Sequence, residues 1–189
     1  MRIIAGSNKG ARIFAPKGHD TRPTGDRVRE AAFNLIGPVE GAAVLDLFAG
    51  SGAMGLEALS RGAASAVFVE NDREASRTID RNLDKLRLTG ARLVQQDALR
   101  ALAAEAAAGR RYDLVLVDPP YEMFSSLQNR LSQYLPAVLS EDGVVVVETD
   151  SRDEPELPLL SKRTSRRYGS ARITLFQHGP GGRGPVQTP

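Results

Sequence analysis

The stretch that decides the fold runs Ala43-Val-Leu-Asp46-Leu-Phe48-Ala-Gly50-Ser51-Gly52-Ala-Met-Gly55. A short apolar run ends at Asp46, a glycine-rich loop follows, and residues 56–61 (LEALSR) continue with helical composition. Residues 50–55 fit G-x-G-x-x-G between a strand and a helix, where glycines permit a tight turn and let the backbone approach a nucleotide closely. Strand, loop and helix in that order open a nucleotide-binding α/β unit. Nicotinamide and flavin proteins share the glycine spacing, so it leaves the cofactor open.

Toward the C-terminus the alternation continues. Ala64–Val69 (ASAVFV) reads as a second strand, and Arg73–Arg87 as a helix with Ala75, Ile79, Leu83 and Leu86 at helical spacing. Ala91–Val94 is a third strand, followed by the alanine-rich helix LRALAAEAAAG, stopped by Gly109. Asp113–Val117 is a fourth strand running into DPPY, Ser125–Leu139 is helical, and Gly143–Val147 is a fifth strand ending at Glu148. Near-continuous apolar strands separated by helices call for a parallel sheet covered on both faces. Lys162–Tyr168 and Arg172–Gln177, around Gly169–Ser170, read as a β-hairpin that adds antiparallel strands at the sheet edge.

Residues 1–37 read as their own unit. Arg2–Ala5 and Ala11–Phe14 flank a turn at Ser7–Gly10, and Asp26 is the expected N-cap of a helix presenting Val28, Ala32, Leu35 and Ile36, ended by Gly37–Pro38. The expected organisation is an extension over 1–37, a nucleotide-binding domain over 38–178, and a Gly/Pro-rich tail over 179–189 that is too poor in apolar surface to order.

A chain of 189 residues, 41% hydrophobic and 25% charged, has the makings of one soluble domain with a real core. It lacks cysteine, which excludes disulfides, thiolate chemistry and cysteine-ligated metals. His19 and His178 stand apart, and no His/Asp/Glu group has metal-ligand spacing, so no metal is expected. The amino-terminal run is too short for a signal peptide, and no stretch approaches the roughly 18 apolar residues of a membrane span, so the cytoplasm is the expected location. The net charge of +2 hides a strong asymmetry. Residues 1–35 carry seven Lys/Arg against three Asp/Glu, and 161–178 carry five bases and no acid, while 36–160 hold twelve bases against twenty acids. Basic ends on an acidic body suit a polyanionic partner, though a solvated charged surface has the same composition.

The chemistry gathers at strand ends. Asp46 would repel a diphosphate and suits a cofactor bearing a cationic sulfonium and an ammonium. Glu70 can accept hydrogen bonds from ribose hydroxyls, with Asn71 beside it. Asp97 can accept an adenine amino group or cap the helix LRALAAEA. The most telling motif is Asp118-Pro119-Pro120-Tyr121. Two prolines remove backbone donors and stiffen the turn, leaving a carboxylate, carbonyl acceptors and an aromatic plane. That set fits an exocyclic amine on a flat base: Asp118 and the Pro119 carbonyl take the two hydrogens, and Tyr121 stacks on the ring.

The Asp46–Gly55 loop, Glu70, Asp97 and DPPY together resemble the class I S-adenosylmethionine-dependent methyltransferases. Thr21-Arg22-Pro23-Thr24, Arg27-Val28-Arg29-Glu30-Ala31 and Phe33-Asn34 narrow the likeness: from Arg2 to about His178 the chain resembles the RsmD family, guanine-N2 methyltransferases of small-subunit (16S) ribosomal RNA. The resemblance implies a Rossmann-like, seven-stranded, mostly parallel sheet with an antiparallel last strand. It implies S-adenosylmethionine as donor, with S-adenosylhomocysteine as product. It places the cofactor at Asp46, Phe48, Gly50, Ser51, Gly52, Glu70, Asn71, Asp97, Ala98 and Asp118, and catalysis at Asp118, Pro119, Pro120 and Tyr121. Arg22, Thr24, Arg27, Arg29, Arg166 and Arg167 become candidate RNA contacts, with the small ribosomal subunit as partner and a monomer expected; an amphipathic helix with solvated arginines accounts for the 22–34 cations equally well. Three other readings stay open: an amino methyltransferase acting on DNA adenine or protein glutamine, a nicotinamide oxidoreductase, and a non-catalytic RNA-binding assembly factor.

Overall fold

The computed structural model describes residues 1–16 and 25–179. Five strands, β1 (Ala43–Asp46), β2 (Ser65–Glu70), β3 (Ala91–Gln95), β4 (Tyr112–Val117) and β5 (Leu139–Asp150), alternate with helices α2 (Ala53–Ser60), α3 (Arg73–Leu86), α4 (Ala98–Ala107) and α5 (Tyr121–Val138). Helix α1 (Gly25–Ile36) precedes them, and the hairpin β6 (Ser161–Tyr168) and β7 (Ala171–Gln177) closes the sheet. The strand order is β3-β2-β1-β4-β5-β7-β6, with β1 to β5 mutually parallel and β7 inserted antiparallel between β5 and β6. The order reverses between β1 and β4. In open α/β sheets that switch point opens a crevice beyond the strands' carboxyl ends, where ligands bind.

The two-residue strand period sorts the core into two layers. Val44, Phe68, Leu116 and Val146 face α1, α2 and α3 in a cluster with Phe33, Leu56 and Ile79. Leu45, Val69, Val117 and Val147 face α4 and α5, against Leu102, Leu131 and Leu135. The same parity puts Asp46 and Glu70, the last residues of β1 and β2, Glu148 within β5, and Asp118 just after β4 on the face shared with α1–α3.

Several expectations shift. The amino-terminal hairpin shrinks to one antiparallel bridge, Arg2 with Arg12, because Ile4 and Ala5 give their N–H groups to Glu57 of α2 rather than to a partner strand. The 1–36 segment has no core of its own: Ile3, Ile13, Val28 and Phe33 are buried in the first sheet layer. Asp26 lies inside the first turn of α1, not at its cap, and its carboxylate pairs with Arg29 and Arg2. Helix α5 begins at Tyr121, four residues before the expected start, since Pro120 at φ −50° is already set for a helix entry. Among the described residues no helix is long and apolar enough to cross a membrane, and no group of three or more ligating side chains could hold a metal. Lys17, His19, Arg22, Pro23 and Thr24, and the tail from residue 180, lie outside the described residues.

Candidate active site

The glycine loop is built by hydrogen bonds that the strand-end carboxylates accept. Asp46 is 2% exposed and accepts the Gly55 N–H at 3.0 Å. Glu70 uses one oxygen for the Gly50 N–H and the other for the Asp72 N–H, both at 2.8 Å. A carboxylate offers about four acceptor positions, so two remain for a ligand's donors. Gly52, at φ +80°, starts α2 in a left-handed conformation that a side chain resists. Gly55 has no such dihedral, but a Cβ there would stand 2.3 Å from the buried Phe68 ring, so only glycine lets α2 lie this close to β2. Ser51 and Gly52 are buried in the turn, and Phe48 is half-buried against the second layer.

Burial pushes the Asp46 carboxyl up from 3.8 to about 7; the Gly55 N–H opposes the rise, and the charges of Asp118 and Glu70 add to it. A buried carboxyl beside two others repels a diphosphate and favours a cationic ligand. A Cβ on Gly50 would meet nothing within 4 Å, so the loop borders open space. This chemistry fits a cofactor that carries both a sulfonium and an ammonium, and it fits a dinucleotide poorly. At the end of β3, Asp97 caps α4 by accepting the Arg100 N–H at 3.0 Å, with Ala98 buried behind it and Asn71 exposed across the gap. Its second oxygen has no partner among the described residues, so capping does not preclude a contact to adenine.

DPPY joins β4 to α5. Asp118 is exposed, Pro119 is buried, and Tyr121 is half-buried. The Tyr121 hydroxyl reaches Glu148, two residues before the end of β5, at 3.5 Å. Asp46 and Asp118 therefore flank the switch point, with Glu70 and Asp97 on one side and Glu148 on the other. A surface depression lined by Phe33, Pro38, Glu40 and Arg61 sits at the opposite edge, before β1 begins, away from this row of carboxylates.

The candidate RNA contacts divide. Arg27, Arg166 and Arg167 are exposed. Arg29 is 3% exposed and is not a phosphate contact: it donates to the Arg2 carbonyl and pairs with Asp26 at 2.9 Å and Glu57 at 3.6 Å. Arg172 is likewise buried, donating to Ser165 and the Ser151 carbonyl, so the basic hairpin presents fewer cations than its composition suggests. Arg22 and Thr24 lie outside the described residues.

Two supporting residues escape a pattern reading. Glu57, fully buried, accepts Ile4 N–H at 2.8 Å, Ala5 N–H at 3.0 Å and Arg61 Nε at 2.7 Å, and so fastens the amino-terminal chain to the helix of the glycine loop. Asn82, also fully buried, accepts the Phe14 N–H at 2.7 Å and donates to the carbonyls of Phe14 and Ser51. Both signals were present: Glu57 sits in an otherwise apolar helix, and Asn82 falls on the Ile79–Leu86 stripe.

The topology, the glycine loop and the carboxylates at the carboxyl ends of the strands define a class I S-adenosylmethionine-dependent methyltransferase. The family described as conserved hypothetical protein 95 matches residues 1–177. Among curated relatives, the ribosomal RNA small subunit methyltransferase D of Escherichia coli K12 is 46% identical over 182 residues, covering 94% of this chain and 89% of its own. The Haemophilus influenzae protein of the same name is 34% identical over 187 residues, covering 94% of each. A solved structure of a hypothetical protein from Thermus thermophilus superposes with a TM-score of 0.79 at 34% identity, over 94% of this chain and 99% of its own. The chain belongs to this family, the one its glycine loop, DPPY and Arg27–Asn34 segment resemble.

Proposed function

We propose that this protein transfers a methyl group from S-adenosylmethionine to the N2 amine of a guanine in small-subunit ribosomal RNA. The observation that carries the reading is DPPY at the switch point, one strand from a buried carboxylate suited to a cationic cofactor. The relatives' name supports the RNA substrate; the guanine amine rests on the donor and acceptor chemistry of DPPY and on the family resemblance. S-adenosylmethionine, when bound, supplies an electrophilic methyl on a positively charged sulfur, and Asp46, Phe48, Gly50–Gly52, Glu70, Asn71, Asp97 and Ala98 are the residues that would hold it.

The chain's own task is to orient a poor nucleophile. The guanine N2 lone pair is delocalised into the ring, so merely binding the base leaves it unreactive. Hydrogen bonds from the amine to Asp118 and the Pro119 carbonyl localise that lone pair and aim it. Tyr121 stacks on the extruded base and offsets part of the few kcal/mol needed to unstack it. Pro119 and Pro120 hold the turn rigid, so the acceptors stay placed without reorganisation. Arg27, Arg166 and Arg167, with Arg22 and Thr24, are the proposed grips on the surrounding phosphates.

The test uses small ribosomal subunits from cells lacking the protein, incubated with it and S-adenosylmethionine, then digested for nucleoside analysis. N2-methylguanosine is the expected product. N6-methyladenosine, methylated ribosomal protein or no product at all would overturn the assignment.

A further inference from the structure

We propose that Phe14 and the cationic column of α3 form a docking surface for a single-stranded segment of the RNA substrate, with one base stacked at Phe14 and adjacent phosphates on Arg77, Arg81 and Lys85. The proposal rests on the RNA reading above and assigns contacts to a face that the charge balance of the sequence hides, since residues 36–160 are acidic as a whole.

Three observations converge. Arg73, Arg77, Arg81 and Lys85 recur every four residues along α3, so they form one exposed column. Like charges at that spacing oppose helix formation, and no ion pair with Asp80, Asp84 or any other described acid neutralises them. Such a column binds a ligand that supplies anions at regular intervals, as a nucleic-acid backbone does. Next, Phe14 is a large apolar side chain left 38% exposed, and the Arg81 guanidinium and the Lys85 ammonium lie over its ring, 4.2 Å and 4.6 Å from the centroid, so a base stacks there as these two long side chains turn from the ring to the phosphates. An exposed aromatic ring together with mobile cations is the unit with which proteins bind single strands, because every base has a face to stack and a phosphate beside it.

The third observation is rigidity and place. The Phe14 backbone is held at both its N–H and its carbonyl by the buried Asn82 side chain, which also donates to the Ser51 carbonyl in the glycine loop. The platform is thus fixed in advance, and one side chain links it to the loop that lines the cofactor site. A strand laid along it would leave α3 at the edge of the catalytic crevice, since α3 starts directly after Glu70 and its N-cap Asp72.

The full-length protein is assayed with a fluorescein-labelled single-stranded RNA oligonucleotide and with unmodified small subunits, at several salt concentrations. The variants are R77Q/R81Q/K85Q, Phe14→Leu, which keeps apolar packing without an aromatic face, and Phe14→Trp. Thermal unfolding of each variant serves as the folding check. The triple variant is expected to lose about tenfold or more in oligonucleotide affinity, with the logarithmic salt slope falling by roughly 2. Phe14→Leu should lose about fivefold or more at unchanged slope, and Phe14→Trp should bind at least as well as the parent. Unchanged RNA affinity and slope in the triple variant would overturn the proposal. So would a loss confined to intact subunits with free RNA unaffected, which would assign the face to a ribosomal protein. Methyl transfer by the parent protein is recorded alongside: an active parent with indifferent variants removes the docking surface alone, whereas an inactive parent with variants that lose RNA affinity removes the methylation reading and keeps the surface.

Discussion

Replacing Asp46 by Asn should make the cofactor-free protein more stable, and increasingly so as pH rises. A carboxyl whose pKa moves from 3.8 to about 7 on folding opposes the folded state once it ionises. At about 1.4 kcal/mol per pH unit, the cost above pH 7 is about 4 kcal/mol. The sign follows from linkage. Below pH 3.8 both states are protonated and the penalty vanishes. Between 3.8 and 7 the unfolded chain gives up its proton first and stability falls; above 7 the loss is complete. At pH 5 the penalty is therefore well under half of that. An amide keeps an acceptor for the Gly55 N–H without the charge that Asp118 and Glu70 repel, so D46N should gain several kcal/mol at pH 8.5 and clearly less at pH 5. Urea titration of both proteins at the two pH values, without cofactor, measures this. A stability difference that is the same at both pH values, or a less stable D46N at pH 8.5, would refute the reasoning. The same variant should bind S-adenosylmethionine more weakly.

Other outcomes follow from the same contacts. Cofactor affinity of the parent protein should fall by up to about tenfold per pH unit below 7, as binding to ionised Asp46 must then expel a proton; calorimetry in buffers of different ionisation enthalpy would show that proton. Glu57→Ala strands a buried arginine and two backbone N–H groups, and should cost about 3–5 kcal/mol in denaturant titration. Neutralising Arg166 and Arg167 together should weaken RNA binding and lower the salt slope by roughly 1.5, read from affinities at several salt concentrations.

Strand and helix order, the parallel sheet and the antiparallel hairpin were legible because each element carries a local signal: apolar runs, a glycine loop, Gly169 at a turn. What stayed hidden depended on where side chains go once layers pack. Arg29 has the sequence surroundings of a solvated arginine, yet the amino-terminal chain closes over it and Glu57 pairs with it. The α3 cations were diluted in a regional count because charge sums ignore which face a residue occupies. At the site, Asp46, Glu70, Asp97 and DPPY were readable as residues that end strands. Their common face follows from the two-residue period; the Tyr121–Glu148 contact needed the β4–β5 register and the early start of α5. Arg22 and Thr24 lie outside the described residues, so their proposed role rests on the resemblance.

The most direct test of the central claim, that methyl transfer occurs at DPPY beyond the switch point, is to measure cofactor affinity and single-turnover methyl transfer for Asp118→Ala side by side. The expected result is a rate reduced by about 10²–10⁴, with S-adenosylmethionine affinity within a few-fold of the parent protein. A variant that transfers methyl at the parent rate, or one whose loss of activity is fully explained by lost cofactor binding, would contradict the account.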